Sequence, residues 1–376
     1  MKVVYLHIGL PKTGTSSIQK SLFQNEDLLL RNGVLVPKTG RVTQQSATHH
    51  NLSFQLIDDP RFRESKGTWG DLVNEINQSS AETIILSSDI LSGMKKSKLK
   101  EIWKYIGYHK IKIVIYLRRQ DDLLQSIWAQ NIKNGFLENF YLDFDKWILD
   151  RNNYKNYHFL INNWGSIFGK ENIIIRIFEK KQLNGILFND FLKTCNIQNS
   201  EIYEPSENQN ITPGKKTIFI INEMKTRLVG ILNIEQRYAL YHNIQRFGEI
   251  HNWNEEKINL IDTDLSNYIM GLYKESNQTI AREFFERDEL FLEPIVDRKL
   301  TRFSLEDYKQ EELLDLFAIL CGEIFGNSQE WMGWGDLERQ YLAKKNELEA
   351  IHASRGWKWL QRFRALRRKL QTVRKK

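Results

Sequence analysis

The chain has 376 residues, of which 41% are hydrophobic and 27% are charged, and its formal net charge is +7. This composition is typical of a globular protein with a large core, and it excludes a disordered chain. No run of about 18 apolar residues occurs, so we expect no membrane-spanning helix, and the first residues do not read as a signal peptide.

The positive charge is concentrated near the end of the chain. Residues 355–376 contain ten Lys or Arg and no acid, which leaves 44 Lys or Arg against 47 Asp or Glu in the remainder. A mildly acidic body argues against a nucleic-acid partner. Cys195 and Cys321 make no metal-ligand spacing, so we expect a reducing, cytoplasmic setting and no metal site.

The first motif is a strand that leads through a loop into a helix. Residues 3–8 are an apolar run of strand length, and Gly9, Pro11 and Gly14 mark the loop after it. The N–H groups of such a loop and of a first helical turn have no helical partner and attract anions. Lys12 adds a cation, but the usual nucleotide-binding loop has its lysine after the last glycine. An ordinary turn between strand and helix is the alternative.

Apolar strand patterns then alternate with helical patterns. Strand patterns are found at residues 34–36 (a short strand or sheet edge), 83–86, 111–117 and 173–178. Helical patterns are found at residues 16–30, 48–57, 69–76, 98–107, 121–128, 144–149, 157–168, 187–192, 218–232, 254–273 and 277–285. Fully apolar strands separated by helices predict an α/β fold with a mainly parallel sheet flanked by helices, and a helical C-terminal half.

Three polar clusters come directly after predicted strands, at residues 11–17, 87–89 and 118–126. Parallel sheets bind ligands outside the carboxyl ends of their strands. We therefore expect the three clusters to meet at one edge of the sheet and to form one site.

Together, these clusters resemble motifs of the PAPS-dependent sulfotransferases, which use 3′-phosphoadenosine 5′-phosphosulfate (PAPS) as donor. The phosphosulfate loop of that family reads roughly Pro-Lys-Thr/Ser-Gly-Thr-Thr/Ser, and residues 11–17 match it. Its 3′-phosphate site has an arginine at a strand end and a serine eight residues later, as in Arg118 and Ser126. Family members often have proline where this chain has Gln120. The resemblance covers about residues 1–294.

The likeness extends to bacterial members that resemble glycan sulfotransferases. Those often have a His-His-Asn-Leu segment, as at residues 49–52, and a Ser-Ser-acid strand end, where the acid is commonly Glu rather than Asp89. Segments like residues 210–213 and 276–285 also recur there. The resemblance implies a three-layer, P-loop-like fold and sulfuryl transfer from PAPS to a hydroxyl of a carbohydrate, either a cell-surface polysaccharide or a lipid-linked glycan.

The resemblance also implies roles for single residues. By analogy with phosphoryl transfer, positioning and electrostatics should carry the reaction. Lys12 would stabilise the leaving oxygen, while backbone N–H groups of residues 13–16 and the hydroxyls of Thr15 and Ser16 would hold the 5′-phosphate. Arg118 and Ser126 would bind the 3′-phosphate. The full predicted donor set is Pro11, Lys12, Thr13, Gly14, Thr15, Ser16, Ser17, Arg118 and Ser126.

The base that takes the proton of the acceptor hydroxyl is less sharply defined. Asp89 ranks first because it comes after a strand at the predicted cleft, although it can equally cap the next helix. His50 ranks second and His49 third because of their intrinsic pKa. A polar helix start is the alternative for both histidines.

Four further residues fit either a structural role or contact with a ligand. We expect Trp69 in the core rather than on the adenine. Arg176 and Arg282 are expected in ion pairs rather than on a phosphate or an acidic glycan. Arg119 is expected to form a salt bridge with one of the two aspartates after Gln120.

We divide the chain into a PAPS-binding core at residues 1–210, a helical part of the same domain at 211–346, and a basic amphipathic tail at 347–376. Residues 355–376 pair an apolar helical stripe with Arg and Lys, which predicts contact with an anionic membrane at its inner face. A solvated helix is the alternative. The pattern does not indicate an oligomeric state.

Two other functions fit parts of the sequence. A P-loop kinase or nucleotide hydrolase is one, but the chain has no Gly-Lys-Ser/Thr after the loop and no clear acidic strand end for magnesium. A non-catalytic nucleotide-fold binding protein with a membrane-anchoring tail is the other, and the retained Lys12 argues against it.

Overall fold

The computed structural model describes residues 1–133, 156–206, 214–228, 234–253, 258–301 and 308–325. They belong to two compact units. The first holds the described residues of 1–132, 136–212 and 258–301, and the second holds those of 133–135, 213–257 and 302–376. The predicted helical part at residues 211–346 is therefore divided between the units, and the domain boundaries near residues 210 and 346 stay predictions.

The first unit is built on a parallel sheet. The pairings of its described strands are all parallel, and Val3 lies opposite both Thr83 and Lys110. The mainly parallel sheet that the sequence predicts is confirmed, with the short run at residues 34–36 at its edge. The strands are β1 (Val3–His7), β2 (Val34–Leu35), β3 (Thr83–Ser87), β4 (Lys110–Leu117) and β5 (Ile173–Ile177), in the order β2-β3-β1-β4-β5.

Helices account for most of the remaining described chain, and none of them combines the length and hydropathy needed to cross a membrane. They are α1 (Thr15–Gln24), α2 (Glu26–Arg31), α3 (His50–Leu56), α4 (Trp69–Gln78), α5 (Lys96–Ile106), α6 (Gln120–Lys133), α7 (Tyr157–Phe168), α8 (Leu187–Thr194), α9 (Lys215–Leu228), α10 (Ile234–Ile250), α11 (Thr263–Leu272), α12 (Lys274–Phe285) and α13 (Gln310–Phe325).

Helices cover both faces of the sheet, because successive strand side chains point to opposite faces. Val4 and Leu6 are buried in one hydrophobic cluster with Trp69 of α4. Tyr5, between them in sequence, belongs to a second cluster with Ile18 of α1. Each large apolar side chain buried in this way stabilises the fold by about 1.5–3 kcal/mol. The result is the expected three-layer arrangement of helices, sheet and helices.

Two helical predictions were wrong at their boundaries. The pattern at residues 16–30 is two helices, because Asn25 interrupts it and its side chain donates to the carbonyls of Ser21 and Glu204 at 2.8 and 2.7 Å. Of the pattern at residues 254–273, residues 254–257 lie outside the described residues and residues 258–262 are not helical. The helix begins at Thr263, where the Asp262 side chain accepts from the Leu265 N–H. Helices α10 and α13 lie in the half of the chain that was predicted to be helical, but neither was predicted as a separate helix. The predicted segments 144–149, 210–213 and 347–376 lie outside the described residues.

An ion pair ties together the helices of the second unit. Lys216 Nζ of α9 lies 3.0 Å from Glu312 Oε2 of α13. The same carboxylate accepts from the indole N–H of Trp253 at 3.0 Å, and the ammonium lies over the rings of Trp253 and Tyr308. Aromatic rings that surround a half-buried cation compensate for its lost hydration.

Candidate functional site

The three predicted polar clusters lie at the carboxyl edge of the sheet. β1 ends at His7, which pairs with Ser87 at the end of β3, and β4 continues on the other side to Leu117. After β1 the chain forms β2 and β3 on one side and then β4 and β5 on the other. Such a switch point leaves a ligand-binding crevice at the strand ends. The sheet order thus brings residues 11–17, 87–89 and 118–126 to one edge.

The loop between β1 and α1 has an unusual backbone. Gly9, Lys12 and Gly14 have φ angles of 26°, 66° and 78°. A Cβ on Gly14 would lie 2.2 Å from Cδ2 of Leu187, so the position requires glycine. The left-handed conformation of Lys12 costs about 1–2 kcal/mol. Backbone strain of this kind is concentrated at functional sites.

The start of α1 is suited to an anion. Gly14 caps this helix without a side-chain hydrogen bond, and its first turn contains no acidic residue. The N–H groups of Thr15, Ser16 and Ser17 are in the first turn, where the helix itself offers them no acceptor. Donors and helix dipole therefore both favour negative charge here.

The loop hydroxyls divide into two kinds. Thr13 and Thr15 are buried, and both donate to the carbonyl of Leu10, at 2.7 and 3.2 Å. These two hydroxyls shape the loop, so the Thr15 proton is not directed at an anion in this conformation. Ser16 is exposed and Ser17 is half-buried. Of the two hydroxyls predicted for the 5′-phosphate, that of Ser16 is the accessible one.

Arg118 reaches this loop from the end of β4. Its Nη1 donates to the carbonyl of Lys12 at 3.0 Å, although the residues are 106 positions apart. The Tyr157 hydroxyl donates to the Arg118 carbonyl at 2.6 Å and fixes its backbone. Burial lowers the pKa of Arg118, and Asp122 opposes that shift. A guanidinium has five N–H donors, so one contact with the loop is compatible with a bidentate contact to an anion.

Ser126 lies on α6 and is half-buried. Its neighbour Gln125 donates to the Ile258 carbonyl and accepts from the Leu260 N–H, both at 3.0 Å. This part of α6 is therefore held firmly against the segment that precedes α11. Joint action of Arg118 and Ser126 on one phosphate stays a prediction.

The two residues after Arg118 have structural partners. Arg119 forms a bidentate ion pair with Asp121 at 2.7 and 3.0 Å, which confirms its predicted salt bridge. Gln120, where the resembling family often has proline, exchanges two amide hydrogen bonds with Asn277, at 2.8 and 3.0 Å. Both amides are buried, so this departure from the family pattern has a defined role in joining α6 to α12.

A His–Asp pair lies at the end of β3. His50 Nε2 is 3.1 Å from Asp89 Oδ1, and His50 Nδ1 is 2.8 Å from Ser88 Oγ. Ser88 Oγ is in turn 2.9 Å from Ser53 Oγ. A neutral His50 would donate its Nε2–H to the carboxylate and accept the Ser88 proton. Burial lowers the pKa of His50, Asp89 opposes that shift, and Arg61 adds to it.

Asp89 does not serve as a side-chain cap for the next turn. It is the first residue of a 3₁₀ turn, Asp89–Gly93, whose capping position is occupied by Ser88 without a side-chain capping bond. Its side chain is 31% exposed and that of His50 is 22% exposed. The pair is thus open to solvent at the carboxyl edge of the sheet.

His49 has the opposite environment. It is 2% exposed, its Nδ1 accepts from the Ser87 N–H at 3.1 Å, and its Nε2 lies 2.9 Å from the Pro37 carbonyl. Burial lowers the pKa of His49 to about 4, against the effect of the Pro37 carbonyl. Both ring nitrogens are engaged with the backbone, so in this conformation His49 holds the end of β3 and has no lone pair for a substrate proton.

Sequence reasoning missed a buried network beneath the loop. His7 is fully buried, and its Nδ1 lies 2.8 Å from Ser87 Oγ, which also accepts from Gln19 Nε2 at 3.1 Å. Within the described residues its Nε2 has no hydrogen-bond partner. Burial lowers the pKa of His7 to about 3. In the sequence, the only signal for this network was a lone histidine in an apolar strand. In the structure, the network links β1, β3 and α1 below the candidate site.

Arg298 is a second residue that the sequence did not single out. Its Nη1 lies 2.9 Å from Asp122 Oδ1. Its charge also lowers the pKa of Arg118, so the two cations are close enough to influence each other. Asp122 therefore lies between two cations, pairs with Arg298 and opposes the lowering of the Arg118 pKa.

The remaining structural readings are confirmed. Trp69 is 1% exposed and donates its indole N–H to a backbone carbonyl at 2.9 Å. Arg176 forms an ion pair with Asp190, and Arg282 forms one with an aspartate on the surface. Among the described residues, no group of three or more His, Cys, Asp or Glu could hold a metal ion, and a metal-free site stays a prediction.

Comparisons with known proteins add little beyond the fold. No protein-family model matches the chain. An uncharacterized protein of Archaeoglobus fulgidus is 24% identical over 240 residues, which is 61% of this chain and 59% of that protein, so the match spans less than two thirds of the relative. The crystal structure of a sulfotransferase from Alicyclobacillus acidocaldarius is similar with a TM-score of 0.39 and 14% identity, over 64% of this chain and 96% of that one. Neither comparison assigns an activity to this chain.

Proposed function

We propose that this chain is a sulfotransferase that transfers the sulfuryl group of PAPS to a hydroxyl of a carbohydrate acceptor. The observation that carries the proposal is the 3.0 Å hydrogen bond from Arg118 Nη1 to the Lys12 carbonyl. It joins the two halves of the sequence motif, the loop at residues 11–17 and the arginine at a strand end, in one crevice. A chance match of two short motifs would not require this contact.

The residues present fit a nucleotide with anionic groups at two positions of its ribose. The start of α1, which has no side-chain cap, and Lys12 would face the 5′-phosphosulfate, and Arg118 would take the 3′-phosphate. Bound PAPS supplies an activated sulfuryl group whose leaving group is a phosphate. Each half of the motif would then bind one of the two anionic groups.

Lys12 and the first turn of α1 would do the electrostatic work on the donor side. Negative charge grows on the leaving phosphate oxygen as its bond to sulfur breaks. A positioned ammonium and backbone N–H groups stabilise that charge more than they stabilise the ground state, and a single such donor is worth about 10²–10³ in rate. The hydrogen bond from Arg118 holds the Lys12 backbone in its left-handed conformation while this happens.

Asp89 is the proposed base on the acceptor side. Its carboxylate would accept the proton of the acceptor hydroxyl as the new oxygen–sulfur bond forms. His50 would orient that carboxylate through its Nε2–H, and the Ser88 hydroxyl would fix the imidazole through Nδ1. His50 itself is the alternative base. It would take that role if the acceptor hydroxyl donated its hydrogen bond to His50 instead of Asp89.

A carbohydrate acceptor is supported by two observations. The side chains of the His–Asp pair are 22% and 31% exposed, so a large hydroxylated acceptor can approach them from solvent. The segments at residues 49–52 and 276–285 resemble those of glycan sulfotransferases. The first of these contributes His50 to the pair, and the second contributes Asn277 to the amide pair with Gln120.

Ligand-induced stabilisation tests the donor. Adenosine 3′,5′-bisphosphate at about a hundred times its dissociation constant should stabilise the folded chain by about 2.7 kcal/mol, seen as a higher unfolding midpoint. Adenosine 5′-monophosphate, which lacks the 3′-phosphate, is the matched control and should give a smaller shift. A shift with ATP and magnesium alone would overturn the proposal and favour a kinase or nucleotide hydrolase.

Transfer of labelled sulfate tests the reaction. PAPS labelled in the sulfuryl group, incubated with a panel of polysaccharides and lipid-linked glycans, should label at least one carbohydrate. Binding of adenosine 3′,5′-bisphosphate without transfer to any acceptor would contradict the enzymatic proposal and favour the non-catalytic binding protein.

A further inference from the structure

The segment around α5 is strongly cationic. Residues 95–112 contain seven lysines and one glutamate, a formal charge of +6, whereas residues 1–354 together carry about −3. The inner face of α5 is buried in the core, so its lysines lie on the outer face. The exposed lysines of α5 and of the turn into β4 are Lys96, Lys100, Lys104 and Lys110.

Aromatic side chains are exposed beside these lysines. Trp103 is 44% exposed and Tyr108 is 52% exposed. Trp103 is held in place, because its ring packs edge-on against Phe168 at 5.7 Å and a Cβ on Gly107 would lie only 2.7 Å from its Cδ2. We call the set Lys100, Trp103, Lys104, Tyr108 and Lys110 the amino-edge surface.

The amino-edge surface extends along α5 to the amino end of β4, away from the candidate site. β3 and β4 are parallel, so α5 starts near the carboxyl end of β3 and leads to the amino end of β4 at Lys110. The eight residues of β4 separate that end from Arg118 by about 26 Å at the usual rise per residue. An acceptor that reacts at the carboxyl edge therefore has no need of this surface, which points to a different partner.

The combination of residues fits a lipid surface. Trp and Tyr rings favour the headgroup level of a bilayer, where an apolar ring and a polar tip are both satisfied. Lysines beside them extend their ammonium groups to anionic headgroups, and their apolar stems lie along the surface. Half-exposed rings next to lysines in one stretch of the chain supply both contributions.

We propose that the amino-edge surface docks this unit on an anionic membrane. Trp103 and Tyr108 lie at the headgroup level, and Lys100, Lys104 and Lys110 contact lipid phosphates. The carboxyl edge of the sheet then faces away from the bilayer. This contact is independent of the transferase proposal and of the basic tail.

Vesicle flotation of the full chain tests the lysines. The chain should float with vesicles of phosphatidylcholine and phosphatidylglycerol but not with phosphatidylcholine alone. Replacing Lys100, Lys104 and Lys110 together by Gln should lower the partition about a hundredfold, since each contact lysine contributes about fivefold. The charge-matched control replaces three exposed lysines elsewhere, Lys193, Lys274 and Lys309, by Gln and should float like the wild type.

A second pair of variants tests the rings. Tyr108→Ala should reduce the flotation that remains at high salt, where charge is screened. Phe159→Ala is the matched control and should have no effect, because Phe159 is 69% exposed and lies two residues from Tyr157, whose hydroxyl contacts the Arg118 carbonyl at the carboxyl edge. Thermal unfolding of all variants should match the wild type, because the substituted side chains are exposed.

Two outcomes would overturn the proposal. Wild-type flotation by the triple lysine variant would assign membrane binding to another part of the chain. Loss of binding in that variant, with no effect of Tyr108→Ala and equally tight binding to soluble dextran sulfate, would assign the surface to an acidic polymer instead.

Discussion

The two sides of the candidate site differ in the groups that form them: one consists mainly of backbone groups and the other of side chains. The proposed donor side is mainly backbone, with left-handed Lys12, left-handed Gly14 and the first turn of α1, and Arg118 contacts it. The proposed acceptor side is made of side chains, above all His50 and Asp89. A substitution on the donor side alters the backbone conformation of the loop. On the acceptor side, a substitution replaces one side chain and leaves the backbone in place. We therefore expect donor recognition to be fixed and acceptor preference to be adjustable.

Lys12→Gly should have the largest effect and tests the donor side alone. Glycine adopts the φ of 66° without strain, so the fold is kept while the ammonium is lost. Transfer at saturating donor and acceptor should fall about a thousandfold. Lys12→Ala is the matched variant, with the same loss of rate and an unfolding free energy about 1 kcal/mol below that of Lys12→Gly, because alanine, like the native lysine, is strained at this φ. An unchanged rate in both would remove Lys12 from the mechanism.

Asp89→Asn probes the acceptor side and should leave the donor side intact. The amide keeps the shape of the carboxylate but cannot accept a proton, so kcat should fall about a hundredfold with adenosine 3′,5′-bisphosphate affinity unchanged. His50→Gln should cost about tenfold if His50 only orients the carboxylate. A greater loss in His50→Gln than in Asp89→Asn would make His50 the base.

Gly14→Ala asks how strongly the donor loop depends on its backbone. A methyl group there would meet Leu187 in addition to the left-handed cost, so the free energy of unfolding should fall by about 2 kcal/mol or more. Gly33→Ala is the control, with a similar φ of 76° and nothing within 4 Å of the added carbon. Gly33→Ala should lower the free energy of unfolding by only about 1 kcal/mol. Equal losses in urea unfolding would show that the Leu187 contact is unimportant.

The buried histidines between the two sides predict acid sensitivity. Burial lowers the pKa of His7 to about 3 and that of His49 to about 4, from an ordinary value of 6.5. Below pH 6.5 the unfolded chain binds protons that the folded chain refuses, so stability declines from that pH downward. The slope should be about 1.4 kcal/mol per pH unit for each histidine. The two histidines together should contribute about 2.8 kcal/mol per pH unit, and urea unfolding of His7→Gln at several pH values should show a slope smaller than that of the wild type by about 1.4 kcal/mol per pH unit. An unchanged slope would contradict the assignment.

The sequence was sufficient for those parts of the fold that depend on local pattern. Strands β1, β3, β4 and β5 are predominantly apolar, with Lys112 and Arg176 as exceptions inside β4 and β5, and a sheet covered on both faces requires such apolar segments. The loop at residues 11–17 was recognisable because glycine spacing and hydroxyl residues are local signals as well. The convergence of Arg118 on Lys12 could be expected from parallel strand order, without any knowledge of side-chain positions.

The sequence failed where partners are distant. His49 and His50 are adjacent and chemically identical, but one is buried between backbone groups and the other faces solvent beside Asp89. The apolar residues at 258–261 have helical spacing, yet the Leu260 N–H bonds to the Gln125 side chain instead of a helical carbonyl. The contacts that decide both cases come from segments 38 and 135 positions away.

The amide pair of Gln120 and Asn277 has a consequence for the history of the chain. Neither amide can be replaced alone without leaving a buried polar group unpaired, at a cost of about 1–3 kcal/mol. A change to proline at position 120 would thus be tolerated only together with a smaller or apolar residue at position 277. Among homologues, the two positions should vary as a correlated pair, and grafting this α6 onto a relative would require residue 277 to be transplanted with it.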